Sequence, residues 1–288
     1  MTSKLLAAAC TLLAACQWGG GPGPGPSQPL ADAGPRPDGR LNDAPMADMM
    51  MADAAIDGAL PPTEHLLLSE LVLSPDGAEM IELFNPTVQT INLTNYYLSN
   101  HGSYFKLPVA GQTIPFAHFI VRFPAGAVIM AGQAITVATQ GAAPFAAFHG
   151  SQPTYSITDG TMIGVEVSNT PRLTDGGASV ILYQWDGTSG LVKDVDIMVA
   201  GAPSTTNQLI DKSGVMQLGM TYATDARTIP PQSAAPGIDQ STKRIAREDG
   251  HELPGGNGLT GHDETSEQTN VTWDTSFSAA TPGAVPTL

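Results

Sequence analysis

Residues 66–100 read LLLSELVLSPDGAEMIELFNPTVQTINLTNYYLSN, and this stretch commits the chain to short strands joined by tight turns. Leu66 to Leu73 is an apolar run of strand length. Ser74-Pro75-Asp76-Gly77 then turns the chain, because proline presets φ at a central turn position and glycine accepts the backbone conformation that completes the turn. Glu79-Met80-Ile81-Glu82-Leu83-Phe84 reads as a second strand. Asn85-Pro86-Thr87 ends it, since proline has no N–H to give a ladder. Thr90 to Leu93 alternates with period two, and Tyr96-Tyr97-Leu98 makes a fourth strand.

These residues resemble the start of a lamin tail domain, a family found in nuclear lamins and in many bacterial exported proteins. The resemblance rests on Ser69-Glu70-Leu71, on Glu79 to Pro86 (E-x-I-E-L-x-N-P), and on Ile91 to Leu98. It implies an all-β, immunoglobulin-like β-sandwich. It implies little about activity, because one fold hosts many functions. Three later blocks resemble the family in the same order. They are Val128 to Ala138, the Ala178–Tyr183 strand with its Leu191–Val199 partner, and Ser241 to Ile245 followed by Trp273 and Thr281-Pro282-Gly283.

The N-terminus reads MTSKLLAAACTLLAAC. Lys4 supplies a positive n-region and Leu5 to Ala15 a short apolar h-region, too short to span a bilayer as a helix. Leu13-Ala14-Ala15-Cys16 resembles a bacterial lipobox, which implies a lipoprotein signal peptide over 1–16 and lipidation of Cys16. Cys10 lies inside the h-region and would leave with it. Dual acylation plus an N-terminal chain anchors a protein stably. Gln17 rather than Asp follows the cysteine. Under the sorting rule of enterobacteria, that implies the outer membrane.

Residues 17–64 read as a disordered Gly/Pro/Asp-rich linker. Asp32, Asp38, Asp43, Asp48, Asp53 and Asp57 are too widely spaced to converge on one calcium ion and suit a solvated, self-repelling tether. As a coil it spans about 40 Å, and extended about 150 Å.

Residues 65–288 are expected to form the sandwich. Strands are predicted at Tyr104–Leu107, Phe119–Val121 and Met162–Val167. Val128 to Ala138 is predicted to be a hairpin turning at Gly132, and Ala178–Tyr183 pairs with Leu191–Val199 around Trp185-Asp186-Gly187. In Leu191–Val199, Leu191, Val195, Ile197 and Val199 make an apolar face opposite Val192, Asp194, Asp196 and Met198. Two stretches, near 139–175 and 200–240, depart from the pattern and read as irregular insertions.

The formal net charge is −15, with 12 Lys and Arg against 27 Asp and Glu. Such a chain lacks the basic footprint that nucleic acid needs. Both cysteines are N-terminal, so the globular part has no disulfide, thiolate metal site or cysteine nucleophile. Six histidines are present, His65, His101, His118, His149, His251 and His262, and none stands in a tight ligand pair. Gly261-His262-Asp263-Glu264 reads as a solvated loop. Glu79 and Glu82 stand three apart on a strand and so point to opposite faces. With Glu70 they read as exposed or edge-strand carboxylates rather than an acid/base pair. There is no G-x-S-x-G and no phosphate-binding glycine loop. Structural calcium has candidate ligands at Asp175, Asp186 and Asp263, although no loop carries a full set.

The expectation is a non-enzymatic binding or anchoring module at the bacterial cell envelope. Its partners would be the membrane, through the lipid, and an envelope or extracellular protein or polysaccharide. No catalytic, cofactor or metal residue is assigned. The alternatives are a hydrolase with its site on the two insertions, and a structural spacer.

Overall fold

The computed structural model describes residues 65–109, 114–226, 233–247 and 252–288, all within the unit Gly58–Leu288. The signal segment, Cys16, the tether and His251 lie outside the described residues.

The predicted opening strands form β1 (Leu67–Val72), β2 (Met80–Phe84), β3 (Ile91–Asn92) and β4 (Tyr96–Ser99). They are followed by β5 (Phe119–Arg122), β6 (Val128–Ile129), β7 (Ala134–Ala138) and helix α1 (Ala142–His149). Next come β8 (Tyr155–Ser156), β9 (Ile163–Val167), β10 (Gly177–Gln184) and β11 (Lys193–Gly201). The last third of the chain holds β12 (Met216–Gln217), β13 (Met220–Thr221), β14 (Thr242–Lys243) and the single-turn helix α2 (Thr269–Thr272).

Two five-stranded sheets face each other, ordered β14-β1-β2-β7-β8 and β11-β10-β4-β5-β9. Alternation explains the core between them. Leu66, Leu68, Leu71, Ile81, Leu83, Ile135 and Val137 project from the first sheet. Leu98, Phe119, Val121, Val180, Leu182 and Met198 meet them from the second. This is the immunoglobulin-like sandwich expected from the strand pattern.

Two expectations are corrected. Tyr104–Leu107 is not a strand but the start of a 3₁₀ helix, Tyr104–Val109. Adjacent Tyr104 and Phe105 are both buried there. Val128 to Ala138 is not a hairpin, because β6 pairs with β3 while β7 pairs with β2. Gly132, at φ 69°, turns the chain from one to the other. Buried Asn85 pins that corner. Its amide donates to Ile129 O at 3.0 Å, and its backbone exchanges bonds with Gly132 and Gln133.

Segment 139–175, read as an irregular insertion, carries the predicted strand as β9. It supplies β8 to one sheet edge and β9 to the other, and Phe145 of α1 caps an outer patch of Val72, Met80 and Ala138. Segment 200–240 is likewise structural. Ile210 and Tyr222 cover the outer face of the second sheet, over Tyr97, Ile120, Ile181, Tyr183, Ile197 and Val199. Both faces of β11 are therefore buried, and its "mixed" face includes the buried carboxylates of Asp194 and Asp196.

The C-terminal blocks close the fold. Thr242 pairs with Leu71 at the edge of the first sheet. Arg244 lies fully buried, its guanidinium 5.1 Å from the ring centre of Trp273. It donates to both oxygens of Asp196 at 2.7 Å, to Glu267 Oε1 at 2.7 Å and to Leu68 O at 2.8 Å. Asp196 also accepts from the Leu68 N–H at 2.7 Å, so one ion cluster stitches the two sheets together.

Candidate functional site

The three glutamates correct the sequence reading. Glu70, Glu79 and Glu82 are all buried rather than exposed. Glu70 stands directly opposite Glu82 across β1 and β2, and the C-terminal segment covers both. The Thr281 N–H donates to Glu70 Oε1 at 3.0 Å and the Gly283 N–H to Glu82 Oε2 at 2.7 Å. Ser241 and Ser69 add hydroxyl donors to Glu70 and Glu82 respectively. These carboxylates therefore hold down Thr281-Pro282-Gly283. Burial pushes Glu82 up to about 7, against the Gly283 and Ser69 bonds that favour its anion.

Glu79 belongs to a separate environment, as its placement on the opposite face required. Its Oε2 accepts from the Thr139 hydroxyl and from the Leu173 N–H at 2.8 Å, while Oε1 has no partner among the described residues. Burial pushes it up to about 9. Glu70 and Glu82 also line a cavity of about 270 Å³ with Lys243 and Asp274, and Glu79 lies apart from it.

The histidines do not gather at one site. His101 and His118 pack edge to face with ring centres 4.9 Å apart, both buried. Burial and the neighbouring ring lower His101 to about 4. Burial also lowers His118. His149 Nε2 lies 2.7 Å from the Ala78 carbonyl. His262 is half exposed beside Glu252, at 3.8 Å. Asp263 and Glu264, next to it, are buried rather than solvated. Among the described residues no group of three or more His, Cys, Asp or Glu converges to hold a metal. Of the three calcium candidates, Asp175 is exposed. Asp186 Oδ1 is occupied by the N–H groups of Thr188 and Ser189, and Asp263 by Thr265 and the Ala226 N–H.

The surface with binding character lies elsewhere. A cleft of about 220 Å³ is lined by Asn95, Gln184, Trp185, Asp186, Lys193 and Leu259 with Ser189 and Leu191. Beside it stands the β12–β13 hairpin, with Ser189 Oγ 3.9 Å from Met220 Sδ. The hairpin exposes Met216 by 70%, Leu218 by 66% and Met220 by 46%. Its two-residue turn holds Leu218 at φ 47° and Gly219 at φ 80°. Such a turn favours Asn-Gly, and leucine in the left-handed region is strained. The leucine is strained and exposed, and it is flanked by exposed methionines. Leu218→Asn is therefore expected to raise stability by about 1 kcal/mol in a thermal melt, by relieving that strain.

Sequence reasoning treated Trp185 only as a turn residue and left this hairpin unassigned. The signal present was the apolar alternation Met216, Leu218, Met220 around Gly219. Lys212 and Arg244, each buried between two carboxylates, also escaped, because no local pattern pairs them with those carboxylates.

Comparison with known proteins bears on the fold. Among curated proteins no sequence matches. A solved structure, a DUF4876 family protein from Bacteroides thetaiotaomicron VPI-5482, aligns at 13% identity with a TM-score of 0.38, covering 80% of this chain and 73% of that one. The family model described as Lamin Tail Domain matches residues 60–199, from the approach to β1 almost to the end of β11. Strand order and this match agree, and residues 60–199 are similar to the Lamin Tail Domain.

Proposed function

We propose that this chain is an exported bacterial lipoprotein, anchored through Cys16 in the outer membrane. Its sandwich would be displayed on the 17–64 tether as a non-enzymatic binding module. The observation that carries the binding role is the Leu218 hairpin beside the Trp185 cleft, an apolar, strained, exposed feature. Its chemistry suits a protein partner with an apolar groove, and the flanking Asn95, Gln184 and Lys193 suit a polar rim. Anchoring rests on Leu13-Ala14-Ala15-Cys16.

The hydrolase reading required histidines and carboxylates converging on segments 139–175 and 200–240. Several of the described ones hold the fold, while Asp175 and Asp239 are exposed and lie on different loops. His149 bonds Ala78, Asp159 bonds the Ala142 N–H at 2.6 Å, and Asp225 bonds Lys212. A spacer, for its part, has no use for the exposed hairpin.

A photo-crosslinking residue placed at position 218 in cells tests the binding surface, with position 88 as control because Val88 is also exposed. A discrete adduct from 218 and none from 88 is expected. No adduct at 218, or the same adduct at both, would remove the binding surface and favour the spacer.

A further inference from the structure

Lys212 is completely buried, and its Nζ lies 2.7 Å from Asp194 Oδ2 and 2.9 Å from Asp225 Oδ2. The Tyr104 hydroxyl donates to Asp194 Oδ1 and receives a bond from Lys212 Nζ at 3.2 Å. Asp225 is held on both oxygens. Oδ2 accepts the Lys212 N–H at 2.7 Å, and Oδ1 accepts from Asn257 Nδ2 at 2.6 Å. Aromatic rings wall the cluster, with Tyr183 4.8 Å from Tyr104, and Phe105 and Tyr222 behind. One cation thus sits between two carboxylates with no access to water, a costly arrangement that leaves a net negative charge in the interior.

From this juxtaposition of Lys212, Asp194 and Asp225 around the Tyr104 hydroxyl, we propose that Lys212 Nζ and Asp194 Cγ condense into an intramolecular isopeptide bond, with Asp225 as the base. Asp225 takes a proton from the ammonium and frees the nitrogen lone pair. The amine attacks Asp194 Cγ, and negative charge grows on Oδ1 under the Tyr104 hydroxyl. The Cγ–Oδ2 bond breaks, and Oδ2 leaves as water with the two protons that the nitrogen sheds, relayed by Asp225. Ammonium plus carboxylate gives amide plus water, so charge and atoms balance without oxidant or cofactor. Contact fixed by the fold supplies the proximity that the reaction needs. Burial raises Asp194 toward its neutral, electrophilic form. Burial opposes the charge on Lys212, but the two carboxylates together hold it above its ordinary value, which is why the reaction needs Asp225 to take the proton. The product exchanges a buried ion pair for a neutral amide. It also bolts the 200–240 layer to β11, independently of any binding surface.

The test is peptide mass spectrometry on the purified, denatured full chain after trypsin. Cleavage after Lys193, Lys212 and Arg227 would leave the linear peptides Asp194–Lys212 and Ser213–Arg227 from an unlinked chain. The proposal predicts a single Asp194–Arg227 peptide, uncut after Lys212 and lighter than its sequence by one water, with fragments placing the loop between Asp194 and Lys212. Recovery of linear Asp194–Lys212 at its unmodified mass as the major product would overturn it and leave an ordinary ion cluster. Asp225→Asn, checked for folding by circular dichroism, is expected to yield the linear pair. A linked Asp225→Asn chain would overturn the role given to Asp225.

Discussion

Replacing Arg244 with methionine is expected to lower the unfolding free energy by about 3–5 kcal/mol, among the largest single-residue losses in this domain. The substitution keeps the apolar stem against Trp273 but removes every donor that serves Asp196 and Glu267 from this side chain. Two carboxylates, at 2% and 1% side-chain exposure, would then share the interior without the guanidinium. Asp196 would keep its bond from the Leu68 N–H, and Glu267 its bond from the Thr272 hydroxyl at 2.7 Å. Arg244→Lys keeps the charge but not the planar fork that reaches Asp196, Glu267 and Leu68 together, so it should fall between the two. Urea unfolding reads this as a lower midpoint at an unchanged slope. A loss under about 1 kcal/mol for Arg244→Met would mean that the ion cluster does not hold the sheets together.

Stability is expected to fall as pH rises from 7 to 9, and Glu79 is the cause. Its folded value of about 9 lies above the ordinary 4.5, so the folded state holds the proton more tightly than the unfolded chain does. Such a group contributes stability that is fully present below about pH 4.5 and is lost as pH rises through the folded value. Glu82 behaves the same way, but its loss is complete near 7. His101 and His118 work in the opposite direction, at pH values below their ordinary 6.5, and are neutral in both states above it. Asp194 is raised by burial as well, so the Glu79→Gln comparison assigns the effect to Glu79. The expected slope is about 1.4 kcal/mol per pH unit near 7 and half that at 9, or about 2 kcal/mol across the window. Glu79→Gln removes the ionisation and should flatten the curve while retaining the Leu173 N–H bond. Equal slopes for the two proteins, or a wild type more stable at pH 9, would contradict the burial of Glu79 as an acid.

The strands were legible because period-two alternation and the Pro and Gly stops are local signals. β1, β2, β4, β5, β10 and β11 lie where the residues placed them, within two residues at each end. Pairing was less legible. Val128 to Ala138 carries everything a hairpin needs, yet Asn85 and Gly132 turn it into a corner shared by two strand pairs. The glutamates were misjudged because their cover comes from far away. Ser241, Thr281 and Gly283 lie 171 to 211 residues from the carboxylates that they bond. Lys212 and Arg244 have nearer partners, 13 to 48 residues away, but their environments exist only after the sheets are assembled. Polar residues in a strand signal exposure only when no later segment lies over them, and here segments 200–240 and 278–287 do.

The proposed role as a tethered display module is tested most directly by labelling cells with a palmitate analogue, wild type against Cys16→Ala, with protease shaving of the intact cells afterwards. A labelled wild type, removed by shaving, beside an unlabelled mutant released from the envelope is the predicted result. An unlabelled wild type recovered in the medium would contradict the anchor and leave a freely secreted sandwich.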